Sequence, residues 1–235
     1  MKTTRKTWSG HTGTVLAVDI SSNGLLSSVA EDGRCILWSS EGEILSNICV
    51  NADDGSTTSK ATSAEDPPLN TVKFMPNDPD RFFISSGNKV FGFDVRKPSS
   101  PSTKFEYNSE EINQISINDK GEYLAACDDD GEIKIIDLQQ RRLFKTLLRH
   151  HSNICSSVQF RPQKPWQIVS AGLDCNVIHW DFSTGKPRQV FNVNEYLQSR
   201  KAPNELFINP PFAHSVSMAN DGSMFASGLG NYSRS

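Results

Sequence analysis

Two sets of histidine, serine, aspartate and tryptophan residues recur in this sequence, and the first three residue types together can perform nucleophilic catalysis. The two sets are His11, Ser28, Asp32 and Trp38, and His151, Ser170, Asp174 and Trp180. In both, the aspartate follows the serine by four residues and the tryptophan follows the aspartate by six. Hydrolysis would need a free hydroxyl and an oxyanion pocket, with the imidazole between nucleophile and acid. Because the set occurs twice at matching positions, a repeated structural role is favoured, and no catalytic residue is predicted.

The residues around each set predict three short strands joined by turns. Alternating apolar residues run from Val15 to Ile20, and Asn23-Gly24 makes a turn. The chain then passes through Asp32-Gly33 to a strand that ends at Trp38. The stretch 151–181 repeats this order.

Two weaker copies place Phe93 and Ile136 where the complete copies have tryptophan. The spacings from 38 to 93, 93 to 136 and 136 to 180 are 55, 43 and 44 residues, which indicates a repeat architecture. The longest spacing contains the polar stretch 51–66, which predicts a loop between repeats.

The pattern predicts one repeat region spanning 1–235. Its repeats cover approximately 10–39, 67–96, 107–138 and 150–182, with a partial copy at 212–230. The partial copy has no third strand before the sequence ends. We therefore expect a truncated gene model or splice form whose open sheet edges promote association.

Gly10-His11, the Asp-Gly turns and Trp180-Asp181 resemble the WD-repeat (WD40) family. The resemblance implies an all-β, WD40-type β-propeller with about four and a half blades present, an incomplete ring, acting as a non-enzymatic protein-interaction scaffold. It also implies that each His, Ser, Asp and Trp set forms a hydrogen-bonded tetrad that stabilises its blade. Four stretches, 110–113, 131–135, 151–158 and 160–163, resemble one member of the family in particular.

The tetrapeptide Phe93, Asp94, Val95 and Arg96 resembles the Trp-Asp-x-Arg box of WD-repeat substrate receptors. That resemblance implies docking onto the damaged-DNA-binding adaptor of cullin-RING ubiquitin ligases. No other repeat has arginine at this position. The alternative is a surface arginine at a strand end, with Asp94 closing a turn, and phenylalanine here replaces the tryptophan of the box.

Composition disfavours several other classes of protein. The net charge of -3 gives no basic excess for direct nucleic-acid binding. No apolar run approaches the roughly 18 residues that cross a bilayer, so we expect no membrane partner and an intracellular protein, cytoplasmic and/or nuclear. The five cysteines are scattered without a CxxC pair, which predicts buried free thiols: Cys35, Cys49, Cys127, Cys155 and Cys175.

The remaining clusters give no cofactor or metal site. Asp128 to Glu132 lacks the alternating ligands of a calcium loop and is interpreted as a solvated turn. His150 and His179 have no acidic or thiol partner at ligand spacing. A propeller-based enzyme remains an alternative, although Asp19 is the one carboxylate in the predicted first strands. A nucleic-acid-associated assembly factor is the other alternative.

Overall fold

The computed structural model describes residues 6–50, 57–58, 67–148, 150–199, 206–207, 210–230 and 233–234. The chain forms two compact units, residues 1–104 and 105–235. Within the described ranges, the regular structure consists of antiparallel strands and one seven-residue helix. The all-β prediction is therefore confirmed.

The first unit contains two antiparallel sheets in which each strand pairs with the next. The first sheet consists of β1 (Val15–Ile20), β2 (Leu26–Ala30), β3 (Arg34–Trp38), β4 (Ile44–Val50) and β5 (Thr57–Thr58). The second consists of β6 (Val72–Met75), β7 (Asp78–Ser86), β8 (Lys89–Asp94) and β9 (Thr103–Phe105). Apart from β5, the predicted loop 51–66 lies outside the described residues.

The second unit contains two four-stranded sheets of the same kind. The third sheet consists of β10 (Ile112–Ile117), β11 (Tyr123–Asp128), β12 (Ile133–Asp137) and β13 (Arg142–Leu147). The fourth consists of β14 (Cys155–Phe160), β15 (Gln167–Gly172), β16 (Asn176–Asp181) and β17 (Lys186–Asn192). There follow α1 (Val193–Ser199), β18 (Leu206–Phe207), β19 (Ala213–Met218), β20 (Phe225–Leu229) and β21 (Ser233–Arg234). Strands β19 and β20 pair with each other, as do β18 and β21.

Apolar side chains of neighbouring sheets pack together to form the core of each unit. In the first unit, Leu37 and Val29 lie in one cluster with Phe82 and Phe93. In the second unit, Ile135 belongs to a cluster with Val158 and Trp180, among others. Burying such side chains contributes about 1.5–3 kcal/mol each, so this packing holds neighbouring sheets together.

Polar side chains of the first strands also connect neighbouring sheets. Asp19 on β1 accepts hydrogen bonds from the Lys73 ammonium at 2.9 Å and the Phe74 backbone N–H at 2.7 Å. In the second unit, the side-chain oxygen of Gln114 accepts hydrogen bonds from the Ser157 hydroxyl and the Val158 N–H, both at 2.8 Å. The carboxylate of Asp19 is thus paired within the fold.

The five cysteines are buried and free, as predicted. Burial raises the pKa of the Cys35 thiol to about 12, so it stays protonated at neutral pH. The parts of the chain that the structure describes contain no helix long and apolar enough to span a membrane.

Candidate partner-binding site

The fourth sheet brings one predicted set of four side chains into a single hydrogen-bonded chain. His151 bonds through Nδ1 to the Asp174 carboxylate at 3.0 Å and through Nε2 to the Ser170 hydroxyl at 2.8 Å. The Trp180 indole N–H donates to the same hydroxyl at 2.8 Å. The side chain of His151 is fully buried, and that of Asp174 is 3% exposed.

The turn around Asp174 supplies further donors to its carboxylate. Backbone N–H groups of Ser152 and Asn176 donate to it, each at 3.1 Å, and the Asn176 side chain donates at 3.0 Å. Burial alone would raise the pKa of Asp174, but these hydrogen bonds and the one with His151 hold it below its ordinary value. The site therefore favours an ionised aspartate.

The first sheet contains the second predicted set in the same arrangement. His11 lies 3.1 Å from the Asp32 carboxylate through Nδ1 and 2.7 Å from the Ser28 hydroxyl through Nε2. The Trp38 indole N–H donates to that hydroxyl at 2.8 Å. The structure thus places both predicted tetrads in matching geometry.

The geometry of the tetrads favours a structural role over nucleophilic catalysis. The order serine, imidazole, carboxylate is that of a catalytic triad. However, Ser170 is fully buried, and its oxygen already accepts the indole N–H of Trp180. A nucleophile needs an exposed oxygen beside an oxyanion pocket, whereas here the hydroxyl joins two side chains of the fold.

The second sheet has apolar residues at the tryptophan and serine positions of the tetrad. Phe93, opposite Phe82, takes the tryptophan position, and Ile84 takes the serine position. The rings of Phe82 and Phe93 stack at 5.5 Å with an interplanar angle of 19°, and both are fully buried. Aromatic packing therefore replaces the polar network in this sheet.

The third sheet contains a different polar pair, and one interpretation from the sequence is wrong here. Asp128 is fully buried rather than part of a solvated turn. Its carboxylate accepts hydrogen bonds from the Asn108 side chain at 2.8 Å and the Glu132 N–H at 2.9 Å. Asp129 and Asp130 are exposed in the following turn. Burial, the largest influence, raises the pKa of Asp128 above its ordinary value.

Strand register explains why Asp128 can be buried. Asp128 pairs with Ile112 where Gly172 pairs with Cys155, so the two residues occupy equivalent positions. A Cβ at Gly172 would lie 2.5 Å from Nδ1 of His151 and 2.8 Å from the Asp174 carboxylate. In the third sheet, Asn108 replaces that histidine, and the Asp128 side chain occupies the space. The sequence feature that could have identified this pair is the position of Asn108. It lies four residues before the first strand of its sheet, as both tetrad histidines do.

The predicted docking box lies at the end of β8, with only its last residue strongly exposed. Phe93 is fully buried, whereas the Arg96 side chain is 68% exposed. Arg96 donates to both carboxylate oxygens of Asp94, from Nε at 2.9 Å and from Nη2 at 2.7 Å. This hydrogen bonding lowers the pKa of Asp94 to about 2 and raises that of Arg96. Val95 is half-buried against the first unit's core.

An aspartate follows the tryptophan position in the third and fourth sheets as well. In the fourth, Asp181 accepts hydrogen bonds from the Ser183 N–H at 3.1 Å and from its hydroxyl, and it lies 3.8 Å from Arg188. In the third, Oδ1 of Asp137 accepts the N–H groups of Gln139 and Gln140 at 3.0 and 2.8 Å. Closing the turn is thus common to these aspartates, and a strongly exposed arginine two residues later is particular to Asp94.

Across the described ranges, no three or more His, Cys, Asp or Glu side chains are grouped so as to hold a metal ion. His179 bonds through Nε2 to the Gln167 side chain at 2.9 Å. The His150 ring lies against Trp180 at 5.1 Å between centroids.

A family model for the WD domain, G-beta repeat, matches residues 2–39, 99–137 and 141–181, together half of the chain. The matched ranges contain all eight residues of the two tetrads: His11, Ser28, Asp32, Trp38, His151, Ser170, Asp174 and Trp180. Strands β6 to β8 of the second sheet, with Phe93 at the tryptophan position, fall outside them. The family model thus matches strands of the first, third and fourth sheets, which are the sheets with the polar networks described above.

Several curated proteins are similar to this chain, and the name of the first one below identifies it as a WD-repeat protein. A WD repeat-containing protein 53 homolog from Dictyostelium discoideum is 34% identical, over 70% of this chain and 48% of the relative. Histone acetyltransferase type B subunit 2 from Debaryomyces hansenii is 30% identical, over 58% and 35%. The GATOR2 complex protein WDR24 from Danio rerio is 23% identical, over 73% and 21%. The chain spans about half or less of the length of these relatives. The particular family member that the four short stretches resemble is WD repeat-containing protein 53, in agreement with the first of these matches.

Proposed function

Because the chain belongs to the WD domain, G-beta repeat family, we propose that it is a protein-interaction scaffold that serves as a substrate receptor of a cullin-RING ubiquitin ligase. The box Phe93, Asp94, Val95 and Arg96 docks onto the damaged-DNA-binding adaptor of the ligase. The rest of the repeat surface is then available to recruit a substrate protein. Such a receptor works inside the cell, in the cytoplasm or the nucleus.

The observation that carries the proposal is the orientation of the exposed Arg96 side chain. Its guanidinium is fixed by two hydrogen bonds to Asp94, and its own backbone N–H donates to the same carboxylate at 2.9 Å. Nη1 also lies 3.5 Å from the Asp80 carboxylate. An arginine that is already oriented loses less conformational freedom when it binds a carbonyl or carboxylate of a partner.

The experiment is affinity purification of the intact protein from cells, with quantification of the co-purified adaptor and cullin. Arg96→Ala and Arg96→Glu should each abolish adaptor recovery. Arg188→Ala is a matched control, because Arg188 is 51% exposed and lies beside Asp181, the fourth sheet's counterpart of Asp94. This control should recover the adaptor at the native yield.

The thermal unfolding midpoint of each variant shows whether the fold is intact. Native recovery of the adaptor by both Arg96 variants would refute the docking role and leave Asp94 and Arg96 as a structural turn. Equal losses in the Arg96 and Arg188 variants would indicate a general effect of surface charge, which also contradicts the proposal.

A further inference from the structure

The second unit contains a pocket of about 510 Å³ between the third and fourth sheets, at the end of the sheets where β12 and β16 finish. We call it the aromatic pocket. Its walls include the rings of Tyr123, Phe160, Trp166 and Phe182 and the carboxylates of Glu122 and Asp137.

The carboxylate of Asp137 differs from its two counterparts in what surrounds it. Asp94 is bound by Arg96 through both oxygens, and Asp181 has Arg188 at 3.8 Å from its Oδ2. Asp137 uses Oδ1 for two backbone N–H groups, and its Oδ2 receives no hydrogen bond from any residue that the structure describes. It also forms no ion pair with the described part of the chain. The molecule thus shows twice that an aspartate in this position pairs with a guanidinium, whereas none of the described residues pairs in this way with Asp137.

Strand register shows what has replaced the arginine in the third sheet. Leu143 pairs with Ile136 as Pro187 pairs with Trp180, so the next residue, Phe144, occupies the position of Arg188. Phe144 packs on Tyr123 at 5.1 Å and on Trp166 at 6.0 Å between ring centroids. At this position the third sheet thus has an aromatic ring where the fourth has a guanidinium, and the ring adds to the aromatic cluster beside the pocket.

Trp166 is the most exposed aromatic residue of the pocket wall and has an unusual backbone conformation. Its side chain is 41% exposed, and its φ is +67°, in the left-handed region that a bulky residue rarely adopts. Gln163, which also lines the pocket, has a φ of +57°. Backbone strain of this kind is concentrated at binding and active sites. The Trp166 carbonyl accepts the Phe182 N–H at 2.8 Å, which holds the loop against the fourth sheet.

Two carboxylates, those of Asp137 and Glu122, act on Tyr123 at one side of the pocket. Burial raises the pKa of Tyr123, and the negative charges of Asp137 and Glu122 raise it further, while Arg142 acts in the opposite direction. Lys120, Arg161 and Lys164 also line the pocket. The Arg161 guanidinium is already bonded to the Gly222 carbonyl and the Gln167 side chain.

We propose that the aromatic pocket binds an arginine side chain presented by an extended segment of a partner protein. The guanidinium donates to Oδ2 of Asp137, and its plane stacks on the exposed indole of Trp166 beside Tyr123. Arginine fits both requirements, because its planar fork pairs with a carboxylate and stacks on aromatic rings. This site lies in the second unit and is independent of the docking proposed for Arg96.

The test uses ¹⁹F NMR of the intact protein labelled with 5-fluorotryptophan, with Trp166→Phe identifying the Trp166 signal. The probe is the capped pentapeptide Gly-Gly-Arg-Gly-Gly, compared with peptides that have lysine, citrulline or glutamate at the centre. The arginine peptide should shift the Trp166 signal saturably. The citrulline peptide, of similar shape without the charge, should bind at least tenfold more weakly, and lysine should be intermediate.

Asp137→Asn retains an oxygen for the N–H groups of Gln139 and Gln140, so the fold should be kept while arginine binding falls at least tenfold. The matched control is Asp181→Asn, which changes the equivalent aspartate of the fourth sheet and should leave binding unchanged. Arg96→Ala should also leave it unchanged, even if adaptor recovery is lost, so the two proposals fail separately. A Trp166 signal unaffected by the arginine peptide, equal binding of citrulline, preference for glutamate, or full binding by a folded Asp137→Asn variant would each overturn the proposal.

Discussion

The second and fourth sheets have the same strand order but stabilise the centre of the blade in opposite ways. The fourth uses a buried chain of hydrogen bonds from Trp180 through Ser170 and His151 to Asp174. The second stacks Phe82 on Phe93 and places Ile84 at the serine position. The backbone of the repeat therefore does not require the polar network. What it requires is that these positions be filled by well-packed side chains.

The third sheet lies between these extremes. It has Ile136 at the tryptophan position and Ala126 at the serine position, yet it keeps a buried carboxylate on Asp128. One amide side chain and one backbone N–H satisfy that carboxylate, compared with four hydrogen bonds at Asp174. The difference in donors explains why the two pKa values shift in opposite directions.

The largest effect is expected from Phe93→Ala in the second sheet. Removing a fully buried ring that packs on Phe82 should lower the free energy of unfolding by about 3–5 kcal/mol. Urea denaturation measures this loss. Phe225→Ala is the control, since Phe225 is 37% exposed and should cost much less. If Phe93→Ala lowered the free energy of unfolding by less than His151→Ala does, the comparison between the two sheets would be reversed.

His151→Ala in the fourth sheet should lower the free energy of unfolding by about 1–3 kcal/mol, because it removes a donor to Asp174 and the partner of the Ser170 hydroxyl. The same denaturation experiment applies. His150→Ala provides the control. The His150 ring is exposed and contacts the Trp180 ring, but His150 is not one of the four residues of the tetrad. An unchanged unfolding midpoint for His151→Ala would show that the tetrad contributes no stability.

The two buried aspartates should give opposite dependences of stability on pH. The folded-state pKa of Asp128 lies above its ordinary value of 3.8, so its contribution to stability falls as pH rises from 3.8 through the raised value. The folded-state pKa of Asp174 lies below 3.8, so its contribution is present above 3.8 and is lost as pH falls through the lowered value.

Urea denaturation across the acidic range tests this difference in Asp128→Asn and Asp174→Asn. Relative to the native protein, Asp128→Asn should gain stability as pH rises, and Asp174→Asn should lose it. Slopes of the same sign for both variants would contradict the two pKa directions.

The smallest effect on stability is expected from Arg96→Ala. Its side chain is strongly exposed, and exposed ion pairs contribute little to folding. The unfolding midpoint should match that of the native protein, while adaptor recovery is lost. A large fall in the midpoint would assign Arg96 to the second sheet's stability instead of to a partner.

Much of the fold could be predicted because local patterns of residue type and spacing specify the repeat. The third strands end at or next to Trp38, Phe93, Ile136 and Trp180, the positions that a period near forty-four residues identified. The two tetrads could also be predicted, since each depends on a fixed spacing within one repeat. The role of Asn108 could not be recognised from the sequence, because its partner Asp128 does not lie at the position that the aspartate occupies in the two tetrads.

Residue patterns along the chain were enough to predict the all-β architecture, the repeat spacing, the positions of both tetrads and the single arginine-containing box. These features depend on alternation and spacing within about forty residues of chain. Tertiary packing was needed to show that Asp128 is buried, that Oδ2 of Asp137 accepts no hydrogen bond from a described residue, and that Trp166 faces a pocket. Those properties depend on which side chains of neighbouring strands and sheets fill the surrounding space, and residue spacing within one repeat does not specify them.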